Sequence, residues 1–118
     1  MKQKNLFMDN KYYQSLQDIL QSIVRINVFM TTISSFSDYN SNVLVQQAVE
    51  RNFEIIGEAI KRLLIIKPEI SISETRKIIN LRNKISHGYD EIENEQIWGV
   101  IVKNLPVLKA EVAALLNK

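Results

Sequence analysis

The 118-residue chain has no cysteine, which removes any disulfide framework and any thiolate metal site and suits a reducing compartment. A single histidine excludes zinc fingers and histidine-rich metal cages, leaving carboxylates and water as the remaining metal ligands. Three glycines and two prolines supply too little punctuation for the many tight turns of a β-sandwich. The longest unbroken apolar run, Val112–Leu116, is far too short to cross a membrane. Met1–Asn5 is basic, but no apolar stretch follows it, so the expectation is a cytoplasmic protein without a secretory signal or membrane contact. Net charge is also scarce: 15 basic residues against 13 acidic ones give +2, too little to mark a non-specific nucleic-acid binder. The length suits one domain over residues 1–118.

What the chain does have is helical periodicity. Tyr12, Leu16, Ile19, Ile23, Ile26, Met30 and Ile33 recur at alternating intervals of four and three, which predicts a helix from about Asp9 to Ile33, capped by Asp9 or Asn10. Residues 34–42 read as a loop. A second helix is predicted from Val43 to Ile66 on the seam Val45, Val49, Asn52, Ile56, Ala59 and Leu63, and Pro68 closes it. Ser71 and Glu74 have the spacing of a capping box that starts a third helix near Ser73, with Ile78, Leu81 and Ile85 inward and Gly88 as its stop. The last helix is predicted from Asn94 to Asn117, kinked or split at Pro106. Four amphipathic helices with short connections give an all-α, antiparallel four-helix bundle.

Apolar stripes describe a core and not an activity, so chemistry must come from polar residues that a plain bundle does not need. The segment Leu81–Tyr89 holds the only histidine, His87, with Arg82 before it and Tyr89 after it. A guanidinium can hold a phosphate bidentately, and an imidazole can move protons near neutral pH. On a straight helix at about 100° per residue, Arg82 and His87 lie roughly 140° apart. Two arrangements reconcile them with one phosphate. Either the helix ends at His87 and the following residues turn back, or two copies of the segment converge across a dimer axis. Basic residues also cluster here: Arg76, Lys77, Arg82 and Lys84, followed by the acidic stretch Asp90–Glu95.

The motif Arg82-x4-His87-x-Tyr89 resembles the signature of the HepT-like branch of the HEPN superfamily. Gln46–Ala59 is similar to that family's helix before the motif, and Ile97-Trp98 with Asn104–Lys109 is similar to its final helix. The resemblance implies a helical homodimer whose cleft is lined by the arginine and histidine of both protomers. It further implies a metal-independent endoribonuclease without cofactor, acting on RNA as the toxin of a type VII-like toxin–antitoxin pair. The antitoxin would be an MntA-like nucleotidyltransferase that neutralises the toxin by adenylylating the motif tyrosine, here Tyr89. In these terms Arg82 binds and polarises the scissile phosphate, and His87 transfers protons. Tyr89 borders the cleft, where an attached AMP would repel substrate.

Two further residues are candidates for support. Asn83 lies one turn before His87 and would orient it. Arg51, Glu54 and Glu58 share a face of the second helix, where Glu58 would position Arg82 if that face is not simply solvated. Asn52, in an otherwise apolar seam, reads as a buried polar pair or register device. The rival to the nuclease is a non-catalytic helical module that binds a nucleotidyltransferase or serves as its substrate.

Overall fold

The computed structural model describes residues 2–87 and 93–118, with side chains from Phe7 onward. Gly88, expected to stop the third helix, and Tyr89, expected to carry AMP, lie outside the described residues. Among those described there is no strand. The helices are α1 (Lys2–Phe29), α2 (Phe36–Asn40), α3 (Val43–Ile66), α4 (Thr75–His87), α5 (Asn94–Gly99) and α6 (Leu105–Leu116). A 3₁₀ turn, Met30–Thr32, follows α1, and a π-helical turn, Val100–Asn104, joins α5 to α6.

The rod formed by α5, the π turn and α6 packs on α1, α1 packs on α3, and α3 packs on α4. Cross-helix contacts fix the directions. Arg62 near the end of α3 reaches Asp18 of α1 at 3.1 Å, and Lys67, just past that end, sits 5.9 Å from the ring centre of Tyr12, nearer the start of α1. Ser86 and Arg82 of α4 meet Glu54 and Glu58 of α3, later residues opposite earlier ones. Neighbouring helices therefore run antiparallel. The core is the set of seams: Leu16, Ile19, Ile23, Ile26, Val49, Ile56, Ala59, Leu63, Ile78, Leu81, Ile97, Leu105, Leu108, Val112 and Leu115 are all buried. Each large aliphatic side chain among them contributes about 1.5–3 kcal/mol by leaving water.

The structure corrects several local expectations. Helix α1 begins at Lys2, so Asp9 and Asn10 lie inside it and cap nothing. Lys4, Leu6 and Met8 are all good helix formers, and no glycine or proline interrupts the segment. At its other end the helix tightens before Ile33, where Thr31 Oγ1 donates to the Val28 carbonyl at 2.7 Å. The stretch read as a loop contains α2. Ser35 Oγ accepts from the Asp38 amide at 3.2 Å, and Asp38 in turn accepts from the Ser34 amide and hydroxyl. Those bonds, the hydroxyl's first, hold the Asp38 carboxyl below its usual range. The third helix starts at Thr75, and Ser71 and Glu74 do not act as a capping box there. The Ser73 amide instead donates to the Glu111 carboxylate of α6 at 3.1 and 3.2 Å, and Glu74 takes a left-handed backbone with φ of 59°.

Pro106 produces a widened turn and no break. In a regular helix its ring would meet the Val102 carbonyl. Here the Leu105 amide donates five residues back to Val100, and Pro106 falls in the first turn of α6, where its missing N–H is harmless.

α2 is tied to α5 through aromatic contacts. Phe36 and Tyr39 approach the Trp98 ring at 5.9 and 6.0 Å, and Asn94 donates to Asn40 at 2.8 Å. Tyr39 is fully buried, and its hydroxyl has no partner among the described residues. Burial, and secondarily the charge of Glu50, pushes the phenol pKa far above its normal value. Tyr39→Phe is therefore expected to be neutral or to stabilise by up to about 1 kcal/mol, since it removes an unsatisfied buried group. A thermal melt checks this, and a loss above about 1 kcal/mol would reveal a hydrogen bond that the hydroxyl makes.

Candidate active site

Helix α4 carries Arg76, Lys77, Arg82 and Lys84 and no acidic residue. Arg82 lies on the side facing α3, and the approach there is close because Gly57 has no side chain. A Cβ built on Gly57 would overlap Arg82 Cβ and Cγ. The stem of the arginine therefore lies on the bare backbone of α3, and its guanidinium arrives at Glu58, one residue further on, with which it forms an ion pair. Arg82 Nη1 donates to Asn83 Oδ1 at 3.0 Å, so the side chain expected to orient His87 is engaged by the arginine through its oxygen. Arg82 Nε is buried and has no acceptor among the described residues. The arginine side chain is 23% exposed and Glu58 42%, so the pair is fixed from one side and open to ligand from the other.

One turn further on, Ser86 Oγ donates to Glu54 Oε2 at 3.0 Å. This second tie fastens the C-terminal end of α4, where His87 is the last helical residue and is exposed. Arg51, Glu54, Glu58 and Arg82 line one cleft of about 280 Å³, closed on the α1 side by Asp18 and Arg62. Three arginines face three carboxylates across it, so its charge is balanced. A surface cavity of about 700 Å³ runs along α1 and includes no residue of the Arg82–His87 segment. Among the described residues no three histidine or carboxylate side chains cluster as metal ligands.

Because α4 stays helical as far as His87, Arg82 and His87 diverge around its axis by about 140°. The structure thus joins Arg82, Asn83 and Glu58 into one group and leaves His87 on another face of the same helix end. Asn52 is buried, and its Nδ2 donates to the Ala48 carbonyl of its own helix at 2.9 Å, so no cross-helix pair forms there. Gly57 and Ser86 are the site residues that the sequence did not reveal, and the contact of Ser86 with Glu54 is likewise new. Only the antiparallel register of α3 and α4 brings them together.

Glu50 sits one turn before Glu54 on α3, and burial, then the Glu54 charge, raises its carboxyl pKa. A raised folded-state pKa means that ionised Glu50 opposes folding at neutral pH and that the penalty disappears below its unfolded value. Glu50→Gln is accordingly expected to raise the melting temperature at pH 7 and to have no such effect near pH 4. An equal shift at both pH values would contradict the assignment.

The ribonuclease HepT-like family matches residues 19–115, nearly the whole bundle. The chain belongs to this family. Its relatives include a Thermococcus cleftensis protein named "Probable ribonuclease HepT", 31% identical over 108 residues, which span 88% of this chain and 94% of the relative. A protein of Caldanaerobacter subterraneus subsp. tengcongensis, provisionally named an RNase, is 33% identical over 71% of this chain and 76% of its own. A third, from Methanocaldococcus jannaschii and also provisionally named an RNase, is 33% identical over 77% of this chain and 75% of its own. No solved structure matches the HepT-like chain significantly. No helix among its described residues is long and apolar enough to cross a membrane.

Proposed function

We propose that this HepT-like protein is a metal-independent endoribonuclease, active as a homodimer and acting as the toxin of a toxin–antitoxin pair. The observation that carries the reading is an arginine clamped between Gly57, Glu58 and Asn83 on the same helix end as the only histidine. The ribose 2′-hydroxyl attacks the adjacent phosphorus and gives up its proton, and the 5′-oxygen leaves and takes one. The products are a 2′,3′-cyclic phosphate and a 5′-hydroxyl. Arg82 neutralises charge building on the phosphate oxygens, and His87 supplies the proton transfer. The divergence of the two side chains supports a composite site in which each phosphate is gripped by residues of two protomers.

Tyr89, two residues beyond His87, is the position at which an MntA-like nucleotidyltransferase attaches AMP and shuts the enzyme off. A second reading, favoured by the engagement of the Arg82 guanidinium by Glu58 and Asn83, is a non-catalytic module that a nucleotidyltransferase binds or modifies. Purified dimer shown by intact mass to carry no AMP is given RNA before and after treatment with the nucleotidyltransferase and ATP. Cleavage before treatment and none after, with Tyr89→Phe cleaving in both, is the expected result. No cleavage by unmodified dimer on several RNAs would leave the module.

A further inference from the structure

The charge of the chain is not evenly spread. The 13 residues of α4 hold four basic side chains and no acidic one, leaving 11 basic against 13 acidic residues in the rest of the chain. The +2 total therefore hides a cationic helix on an otherwise slightly acidic molecule. Arg82 is turned toward α3 and paired with Glu58. The other basic residues are not used in this way. Lys77, Asn80, Lys84 and His87 follow one another at intervals of three, four and three and so share one face of α4.

That face meets the rod of α5 and the π turn in a groove of about 180 Å³, lined by Lys77, Asn80, Leu81, Lys84, Gln96 and Val100. Its floor is apolar, since Leu81 and Val100 are buried at 5% and 3% exposure, and its rim is cationic and amide-bearing. Lys84 makes one long contact, to Gln96 Oε1 at 3.4 Å, and among the described residues neither lysine forms an ion pair. Lys77 and Lys84 are two turns apart, about 10.5 Å along the axis at 1.5 Å per residue. A ligand with repeated negative charges spans that distance, and a single phosphate group does not. The row of polar groups ends at His87.

We propose that this face of α4 is the track for the RNA strand beside the bond that is cut, with Lys77 and Lys84 holding backbone phosphates that are not cleaved. The inference rests on the nuclease reading above and adds to it where the substrate lies. It separates two roles on one helix. Arg82, on the far side, serves the reacting phosphate, and the lysine face serves the flanking strand.

The test compares wild type with the Lys77→Ala/Lys84→Ala double variant and with Lys109→Ala, an exposed lysine on α6, as the control. Cleavage kinetics on a fluorescein-labelled single-stranded RNA should show KM raised by roughly tenfold in the double variant, with kcat changed by less than about twofold, since only uniform binding is lost. Anisotropy titrations of the same RNA, with all proteins carrying His87→Ala to prevent cleavage, give the salt dependence. The slope of log affinity against log salt should fall by about 1.4 in the double variant, about 0.7 for each phosphate contact on a single strand. Lys109→Ala should leave both quantities unchanged.

Cleavage by wild type with an unchanged KM and slope in the double variant would overturn this inference and leave the nuclease standing. An equal loss in Lys109→Ala would overturn it too, because diffuse charge would then explain the binding. Failure of wild type to cleave RNA, with no binding by His87→Ala, would remove the nuclease reading and the track together.

Discussion

His87→Ala is expected to lower RNA cleavage by about 10²–10⁴-fold, the ordinary contribution of a positioned acid or base, with helix content and melting temperature unchanged. The fold should survive because the imidazole is exposed at the last residue of α4 and contributes nothing to the buried core. Arg82→Ala should abolish cleavage too, but it should not be structurally silent. Its stem packs on Gly57, and its loss strands Glu58 without the cation that faces it. Half-exposure of the carboxylate limits that cost to about 1 kcal/mol. Circular dichroism melts beside cleavage assays separate the two variants. Loss of helical content in His87→Ala would assign that residue a structural role instead.

Gly57→Ala should behave in the opposite sense to a normal helical glycine. In an exposed helix interior the change gains about 1 kcal/mol of propensity. At this position the new methyl group meets Arg82 Cβ and Cγ, the root of the side chain, which cannot swing aside as a flexible tip would. Relief requires α3 and α4 to separate or Arg82 to leave its rotamer, and overpacking of this kind costs about 1–3 kcal/mol. Displacing the guanidinium by about 1 Å is enough to cost about a hundredfold in rate. The expected outcome is a protein that melts at or below the wild-type temperature and cleaves RNA far more slowly. Gly57→Ala that melts higher and cleaves normally would show that the α3–α4 spacing does not set the position of Arg82.

How much of this was legible in the sequence follows from which residues repeat. The seams from Leu16 to Ile26, from Val49 to Leu63 and from Ile97 to Leu115 are long and periodic, and they mark both the helices and their buried faces. α2 is five residues long, too short to carry a period, and is held by the bonds of Ser35 and Asp38 and by packing on Trp98. Pro106 signals an irregularity, but only the packing of neighbouring helices decides that it becomes a widened turn. Glu58 beside Arg82 could be anticipated from the shared face of Arg51, Glu54 and Glu58. Gly57 could not, since a glycine inside a helix reads simply as a weak helix former until the opposing residue is known. Asn83 shows the reverse case. Helical spacing places it under His87, whereas its oxygen bonds Arg82, its immediate chain neighbour.

Metal-independent attack by the ribose 2′-hydroxyl leaves a signature that one substitution in the substrate removes. The most direct measurement is cleavage in EDTA by unmodified dimeric wild type, on one RNA and on the same RNA with a 2′-deoxynucleotide at the mapped cut. The all-ribose strand is expected to yield 2′,3′-cyclic phosphate ends, and the substituted position is expected to stay uncut. Cleavage of the deoxy-substituted strand, or activity only when a divalent cation is restored, would contradict that mechanism.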